Sequence, residues 1–151
     1  MKTILITIAI VSSVYTYDAV TEVTIVQSQP VDVLDDITET SRLIRAVIQV
    51  ESLDNDSAYN KSEDAVGCLQ IRPIMVREVN RLLKIRGEER RYTLKDRWNR
   101  QKSIQMFLVF NRNISNFEEQ CRRWNGGHNG MKKTATIKYW NKVKKKLINN
   151  K

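Results

Sequence analysis

The chain of 151 residues is poor in the residues that make turns, with 5 glycines and 2 prolines. An all-β sandwich or barrel needs many tight turns, so this scarcity argues against that class and favours helices. Cysteine and histidine are also scarce, with two and one. That leaves too few soft ligands for a zinc site, and we expect no cofactor and no metal. Cys68 and Cys121 are expected to be free buried thiols, although an exported chain could pair them.

Acidic residues are outnumbered by basic ones, 17 to 26, which gives a formal net charge of +9. Such a chain is attracted to polyanions, and nucleic acid, anionic lipid and the bacterial wall all qualify. Charge alone does not choose among them. The hydrophobic fraction of 41% is enough for one core and argues against a disordered chain.

The sequence lacks an apolar run long enough to cross a membrane as a helix. The longest run, from Ile4 to Val11, is shorter than the roughly 18 residues that a span requires. Preceded by Lys2, it fits the hydrophobic region of a secretory signal, with an uncleaved anchor or a buried strand as alternatives. We therefore predict a leader or short anchor at 1–20, a spacer at 21–35 and one domain at 36–151. The location expected is periplasmic or extracellular, including anchored or virion-associated forms.

Apolar residues recur at helical spacing through most of the remaining chain. The pattern predicts an all-α domain of five or six helices, with a polar loop at 53–64. Asp35 or Asp36 can cap the first helix, Pro73 suits the first turn of the second, and Gly87 should end it. The predicted helices are 36–52, 73–86, one long helix from 94 to 110, 117–124 capped by Asn116, and a last helix from about 136 to 147.

Glu51 ends the apolar face of the first predicted helix. Ile44, Val47, Ile48 and Glu51 follow i, i+3, i+4, i+7 spacing, which places them on one side of a helix. A carboxyl beside apolar groups is poorly solvated when charged, so its pKa rises and it can act as a proton donor. The alternative interpretation is a glutamate at a helix end that simply reaches water.

Four short motifs follow one another in an order that resembles a known family. They are Glu51-Ser52, then Gly67-Cys68-Leu69-Gln70, then Pro73, and finally Trp124-Asn125-Gly126-Gly127. Together they resemble the catalytic domain of the soluble-type lytic transglycosylases, which are relatives of goose lysozyme. The resemblance covers about residues 40–147 and implies a lysozyme-like helical fold. Trp124 stands where the family commonly has Tyr, Cys68 where it has Leu, and Gly126 where it has Ala, which leaves the sugar contacts in doubt.

The resemblance also implies residue roles and a substrate. Glu51 would be the sole catalytic acid and base, and the family cleaves the β-1,4 bond from N-acetylmuramic acid to N-acetylglucosamine to give 1,6-anhydro ends. Peptidoglycan strands would be the partner of a monomeric enzyme, with no nucleic acid and an added electrostatic attraction to the anionic wall through the C-terminal lysines. The substrate-binding residues implied are Ser52, Gln70, Tyr92, Asn125 and Tyr139.

A hydrolytic muramidase with the same Glu51 remains the main alternative. Hydrolases of this kind pair two carboxylates, and the nearby acids are Asp54, Asp56, Glu63 and Asp64 in the polar loop. Solvation is their simplest role, but one that faced the cleft could activate water. Asp54-Asn55-Asp56 begins like a calcium loop, yet Ala58 and Tyr59 occupy positions that need a ligand and a glycine. Less favoured are a basic nucleic-acid-binding protein and a non-enzymatic wall-binding protein with a degenerate lysozyme fold.

Overall fold

A computed structural model of the chain describes the backbone of residues 31–149, with side chains from residue 39 onward. Within that part the protein is an all-α domain of five helices with one small hairpin, which confirms the predicted fold class. The predicted leader and residues 21–30 of the predicted spacer lie outside the described residues. No described helix combines the length and the apolar character needed to cross a membrane. The elements are α1 Val31–Ser52, β1 Tyr59–Asn60, β2 Ala65–Val66, α2 Pro73–Ile85, α3 Arg100–Asn111, α4 Phe117–Gly126 and α5 Ala135–Asn149.

Helix α1 supplies the central apolar face of the core. It begins at Val31, five residues before the predicted start, and ends at Ser52 as predicted. Leu43, Ala46 and Val47 are completely buried on it. The helix stops because Leu53 has a positive φ of 54°, as does the residue after it at 68°. The abrupt end places the last turn of α1 at the edge of the core.

The segment after α1 contains a hairpin that the sequence did not predict. Strands β1 and β2 are antiparallel, and Asn60 pairs with Ala65 while Tyr59 pairs with Val66. Each strand has only two residues, too few for an alternating apolar pattern to be recognised. A bridge from Val66 to Ile71 continues the ladder around the turn that contains Gly67. The predicted polar loop therefore contains strand β1, which pairs with β2 in a hairpin beside the end of α1.

The predicted long helix from 94 to 110 is wrong, since it divides into two elements. A 3₁₀ helix at Leu94–Trp98 has the predicted capping box between Thr93 and Asp96. Asn99 is then extended, and its side chain caps α3 by accepting from the backbone N–H of Lys102. Three apolar side chains of this segment are exposed rather than packed in the core. These are Leu94, Trp98 and Leu108.

Helices α4 and α5 close the core against α1. Asn116 caps α4 as predicted, and the helix ends at Gly127, where φ is 74°. Trp124 packs edge-on against Phe107 of α3, with ring centroids 5.0 Å apart. On α5 the buried face contains Thr136, Tyr139 and Val143. Ile137, although apolar, is exposed.

Candidate active site

A cleft of about 350 Å³ opens where the end of α1, the hairpin, the start of α2 and the end of α4 meet. Each of these elements ends or turns at the cleft, so its walls are built from helix termini and the hairpin rather than from one helix face. A volume of this size is in the range of small-ligand sites. The lining residues are Glu51, Asn60, Glu63, Ala65, Gln70, Ile71, Arg72, Met75, Trp124 and Asn125.

Glu51 lies in the last turn of α1 and forms part of the cleft wall. Its Oε1 accepts a hydrogen bond of 2.7 Å from the hydroxyl of Tyr139, which is 88 positions later in the chain. Tyr139 is on the buried face of α5 and only 9% exposed. The hydroxyl therefore holds the carboxyl in one orientation while the cleft side of Glu51 stays accessible.

Burial raises the pKa of Glu51 from its usual value to about 7. The Tyr139 hydroxyl and the positive charge of Arg72 lower it, while the negative charge of Glu63 raises it by a smaller amount. Burial dominates because a charged carboxylate loses more hydration there than two favourable contacts return. At neutral pH a substantial fraction of Glu51 carries a proton that it can donate.

Gln70 is placed in the cleft wall by the turn after β2. Its φ is +44°, uncommon for a residue with a side chain. The side-chain amide stabilises this conformation by donating to the carbonyls of Ala58 (3.2 Å) and Gly67 (3.1 Å). Gly67 itself has φ of 77°, and a Cβ there would lie 2.1 Å from the carbonyl oxygen of Arg97. Only glycine permits this approach.

Asn125 lines the cleft from the last turn of α4. Its backbone carbonyl accepts a long hydrogen bond of 3.4 Å from the Arg72 guanidinium. Asn60 on β1 lines the same cleft. The cleft thus contains carboxamide groups from α4 and from the hairpin, a type of group that can donate and accept hydrogen bonds.

Three predicted substrate-binding residues do not line the cleft: Ser52, Tyr92 and Tyr139. Tyr139 contributes through its hydrogen bond to Glu51. The Ser52 hydroxyl donates to the carbonyl of Ile48 (3.2 Å) and accepts from the N–H of Asn55 (3.1 Å), so it serves the end of α1. Tyr92 is buried, and its hydroxyl donates to Gln105 at 3.2 Å. Their placement gives no support to a contact with substrate.

Arg72 and Glu63 are cleft residues that the family motifs did not identify. Arg72 immediately precedes Pro73, where the motif comparison assigned no role. Glu63 lies between β1 and β2 and was grouped with the loop acids. Their charged groups face each other at 3.9 Å. No local sequence signal predicts this meeting, because it depends on the hairpin folding over the start of α2.

The other acidic residues of that segment have structural partners. Asp54 and Asp56 both pair with Arg100, at 2.7 and 2.9 Å, which ties the hairpin to α3. Asp64 pairs with the buried Arg97 at 3.5 Å. These loop acids therefore form ion pairs within the protein and are not simply solvated. Within residues 39–149, no cluster of three or more metal-ligating side chains is found.

The remaining candidate reactive groups lie outside the cleft lining. Cys68 and Cys121 are free and buried, as expected, and burial raises their thiol pKa values to about 11 and about 12. Thiols with such pKa values stay protonated and are poor nucleophiles. His128 bridges Glu78 (2.5 Å) and Arg123 (2.9 Å) on the surface.

Comparisons of the chain with protein-family models, with curated proteins and with solved structures find no match.

Proposed function

We propose that the chain is a lytic transglycosylase that cleaves the β-1,4 bond between N-acetylmuramic acid and N-acetylglucosamine in bacterial peptidoglycan. The observation that supports this most directly is Glu51, a partly buried carboxyl with a pKa of about 7 on the wall of an open cleft. Cleavage of a glycosidic bond requires an acid that is still protonated near neutral pH.

The composition of the cleft walls also suits an N-acetylated sugar. Asn60 and Asn125 have side-chain amides that can pair with acetamido groups and hydroxyls. Gln70 can offer its side-chain carbonyl oxygen, because its amide N–H groups already bond to backbone carbonyls. Ile71 and Met75 provide apolar surface for the sugar ring and the acetyl methyl. A mixed lining of this kind is typical of sites that orient a polar ligand by a few hydrogen bonds.

The proposed reaction uses Glu51 twice. Glu51 first donates its proton to the glycosidic oxygen while the bond from that oxygen to C1 breaks and the substrate's acetamido oxygen bonds to C1. The resulting carboxylate, stabilised by the Tyr139 hydroxyl, then accepts the proton of the C6 hydroxyl. The C6 oxygen attacks C1 and displaces the acetamido oxygen. A 1,6-anhydro ring forms, Glu51 is protonated again, and no water is consumed. The internal hydroxyl is favoured over water because its effective concentration is high.

A hydrolytic muramidase is the second candidate, and the position of Glu63 favours it. Glu63 lines the same cleft as Glu51 and is exposed to solvent. A charged carboxylate at this position could take a proton from a water molecule that attacks C1, with Glu51 as the acid. Glycosidases that hydrolyse commonly divide the two tasks between two carboxyl groups.

The product decides between the two candidates. Purified chain is incubated with peptidoglycan in ¹⁸O-labelled water, and the released fragments are analysed by mass spectrometry. We expect unlabelled 1,6-anhydro ends from the wild type, and near-normal activity from Glu63→Gln. Label at the muramic acid end would mean hydrolysis, and loss of that labelled product in Glu63→Gln would identify Glu63 as the base.

Glu51→Gln tests the role of the acid. We expect wall cleavage to fall by several orders of magnitude, because general acid–base catalysis contributes about 10²–10⁴ and one group performs both proton transfers here. Glu39→Gln, an exposed position on the same helix, is the matched control and should keep full activity. Activity above a tenth of the wild type in Glu51→Gln would contradict the assignment. A wild-type chain that binds wall without cutting it would favour the non-enzymatic alternative.

A further inference from the structure

Arg72 is the sole cation among the described residues that line the cleft, where two carboxyl groups, Glu51 and Glu63, are also present. Its side chain is 41% exposed. An anionic ligand that entered a cleft with only the two carboxyl groups would meet repulsion from Glu63, and from Glu51 whenever it is ionised. The accessible guanidinium is therefore the group of this lining that can attract an anionic ligand.

The backbone holds Arg72 in a fixed position at the N-terminus of α2. It is the N-cap residue, with extended φ and ψ of −86° and 155°, the conformation that a following proline imposes. Its carbonyl accepts from the N–H of Met75 at 2.9 Å, which joins it to the first turn of the helix. The side chain therefore begins from a rigid base and reaches across the cleft.

The contacts that the guanidinium makes are weak enough for a ligand to replace. Its pairing with Glu63 is at 3.9 Å and is exposed on both sides, and exposed ion pairs of this kind contribute little stability. The hydrogen bond to the Asn125 carbonyl is long, at 3.4 Å. A guanidinium has five N–H donors, so most of its donor capacity is available to the cleft.

We propose that Arg72 binds a carboxylate carried by the muramic acid residue and so selects acidic wall glycans over neutral N-acetylglucosamine polymers. The inference rests on the proposed function and identifies the part of the substrate that the same site recognises. A planar guanidinium matches the two oxygens of a carboxylate in a paired arrangement. Muramic acid differs from N-acetylglucosamine by a lactyl ether, which ends in a carboxylate in peptide-free strands and continues into an acidic stem peptide in intact ones.

The test measures binding rather than cleavage and uses the full chain with Glu51→Gln as its background. In that background, no change in the ionisation of Glu51 can account for an effect of Arg72. The ligands are fluorescent peptide-free wall strands, the same strands with their carboxylates converted to methyl esters, strands that keep their stem peptides, and chitin oligosaccharides of equal length. Arg72→Gln is compared with Arg77→Gln, an exposed position on the same helix with the same change in charge.

We expect Arg72→Gln to weaken binding of the peptide-free strands about 10- to 100-fold, the range for a charge-assisted hydrogen bond. Binding of the methyl-esterified strands and of chitin should stay within twofold, Arg77→Gln should change neither, and Arg72→Lys should recover part of the loss. A loss on peptide-free strands alone assigns the lactyl carboxylate, and a loss confined to peptide-bearing strands assigns the stem peptide.

Equal losses on acidic and esterified strands, or no loss on any acidic strand, would overturn the inference while leaving the proposed function intact. Failure of the wild-type chain to cleave or bind any glycan would instead contradict the proposed function, and this inference with it. Thermal unfolding of each variant separates loss of a ligand contact from loss of the fold.

Discussion

The raised pKa of Glu51 allows it to donate a proton near neutral pH, but it also lowers the stability of the folded protein as the pH rises. Its pKa of about 7 lies well above the usual value of 4.5, so the folded protein binds a proton there that the unfolded chain releases between pH 4.5 and 7. Folding stability must therefore fall as the pH rises through that window, because the unfolded state holds fewer protons than the folded state. Below pH 4.5 both states are protonated and the penalty disappears.

Glu51→Gln is expected to stabilise the protein at alkaline pH. The amide has no charge to desolvate, and each unit of pKa difference corresponds to about 1.4 kcal/mol. The gain in unfolding free energy should be on the order of 3 kcal/mol at pH 8 and near zero at pH 4. Denaturant unfolding at both values measures it, with Glu39→Gln as the control. A gain of equal size at both pH values would contradict this account.

Tyr139→Phe should move the pH profile of activity. The Tyr139 hydroxyl donates to Glu51 and lowers the pKa of that carboxyl, so its removal raises the pKa further above 7. Because the acid must be protonated, activity declines as the pH rises through this pKa, and the decline should shift to higher pH. The profile of kcat/KM checks it. Tyr92→Phe removes a hydroxyl that bonds Gln105 and should leave the profile unchanged; a shift to lower pH in Tyr139→Phe would refute the assignment.

At the scale of elements, the hairpin is held against the 3₁₀ helix by a buried arginine and a glycine. Arg97 donates to the carbonyls of Asp64 (2.7 Å) and Ile71 (3.1 Å), which closes the base of the hairpin. Its own carbonyl oxygen lies where a Cβ on Gly67 would be placed. The turn that presents Gln70 to the cleft therefore depends on a backbone-to-backbone contact that has no room for a side chain.

Gly67→Ala should damage both stability and the site. The added Cβ would meet the Arg97 carbonyl at 2.1 Å and also strain a φ of +77°. Gly87→Ala is the matched control, because its φ is +71° but nothing lies within 4 Å of the added atom. Strain alone costs about 1–2 kcal/mol, and Gly67→Ala should exceed the control by at least about 1 kcal/mol. Chemical denaturation measures both; equal losses would show that the hairpin can move away.

Local signals predicted some of the helix ends, and they did not predict the hairpin. Asn116, Pro73 and Gly87 each mark an end by chemistry within one turn of the chain, and the structure places them there. The break at Asn99 was missed because the apolar spacing of the flanking residues resembled one continuous helix. Two-residue strands carry too little pattern to be detected.

The residues of the candidate site also divide into those that the sequence predicted and those that it did not. Glu51 was predictable because its neighbours on one helix make the apolar surroundings that raise its pKa. Arg72 and Glu63 are brought to the cleft by contacts between separate elements. No residue spacing along the chain predicts such contacts. Tyr139 was identified through family resemblance alone, and its bond to Glu51 joins residues that are far apart in sequence.

At the scale of the molecule, positive charge is concentrated on the exposed side of α5. The helix carries exposed lysines away from its buried face, and the whole chain has a net charge of +9. Charges on such a surface attract an anionic polymer without fixing its orientation. The described exposed lysines of this helix are Lys138, Lys142, Lys144, Lys145 and Lys146.

Wall association is expected to weaken as salt rises, since exposed charges are screened over about 10 Å at 0.1 M. Replacing Lys144, Lys145 and Lys146 by Gln should reduce co-sedimentation with peptidoglycan and lower its salt dependence. Cleavage of short soluble fragments should not change, because these side chains lie outside the cleft lining. Control replacements that remove the same charge from another surface should have a smaller effect; they are Arg77, Lys84 and Lys95. Unchanged co-sedimentation would show that these lysines do not contribute to wall binding.

The bond between Tyr139 and Glu51 joins the first described helix to the last. During synthesis Glu51 is made early, but the Tyr139 hydroxyl that orients its carboxyl arrives only when the ribosome has translated α5. A growing or truncated chain that ends before Tyr139 therefore lacks the group that holds the Glu51 carboxyl in place. The oriented carboxyl exists only once the last described helix has packed against the first.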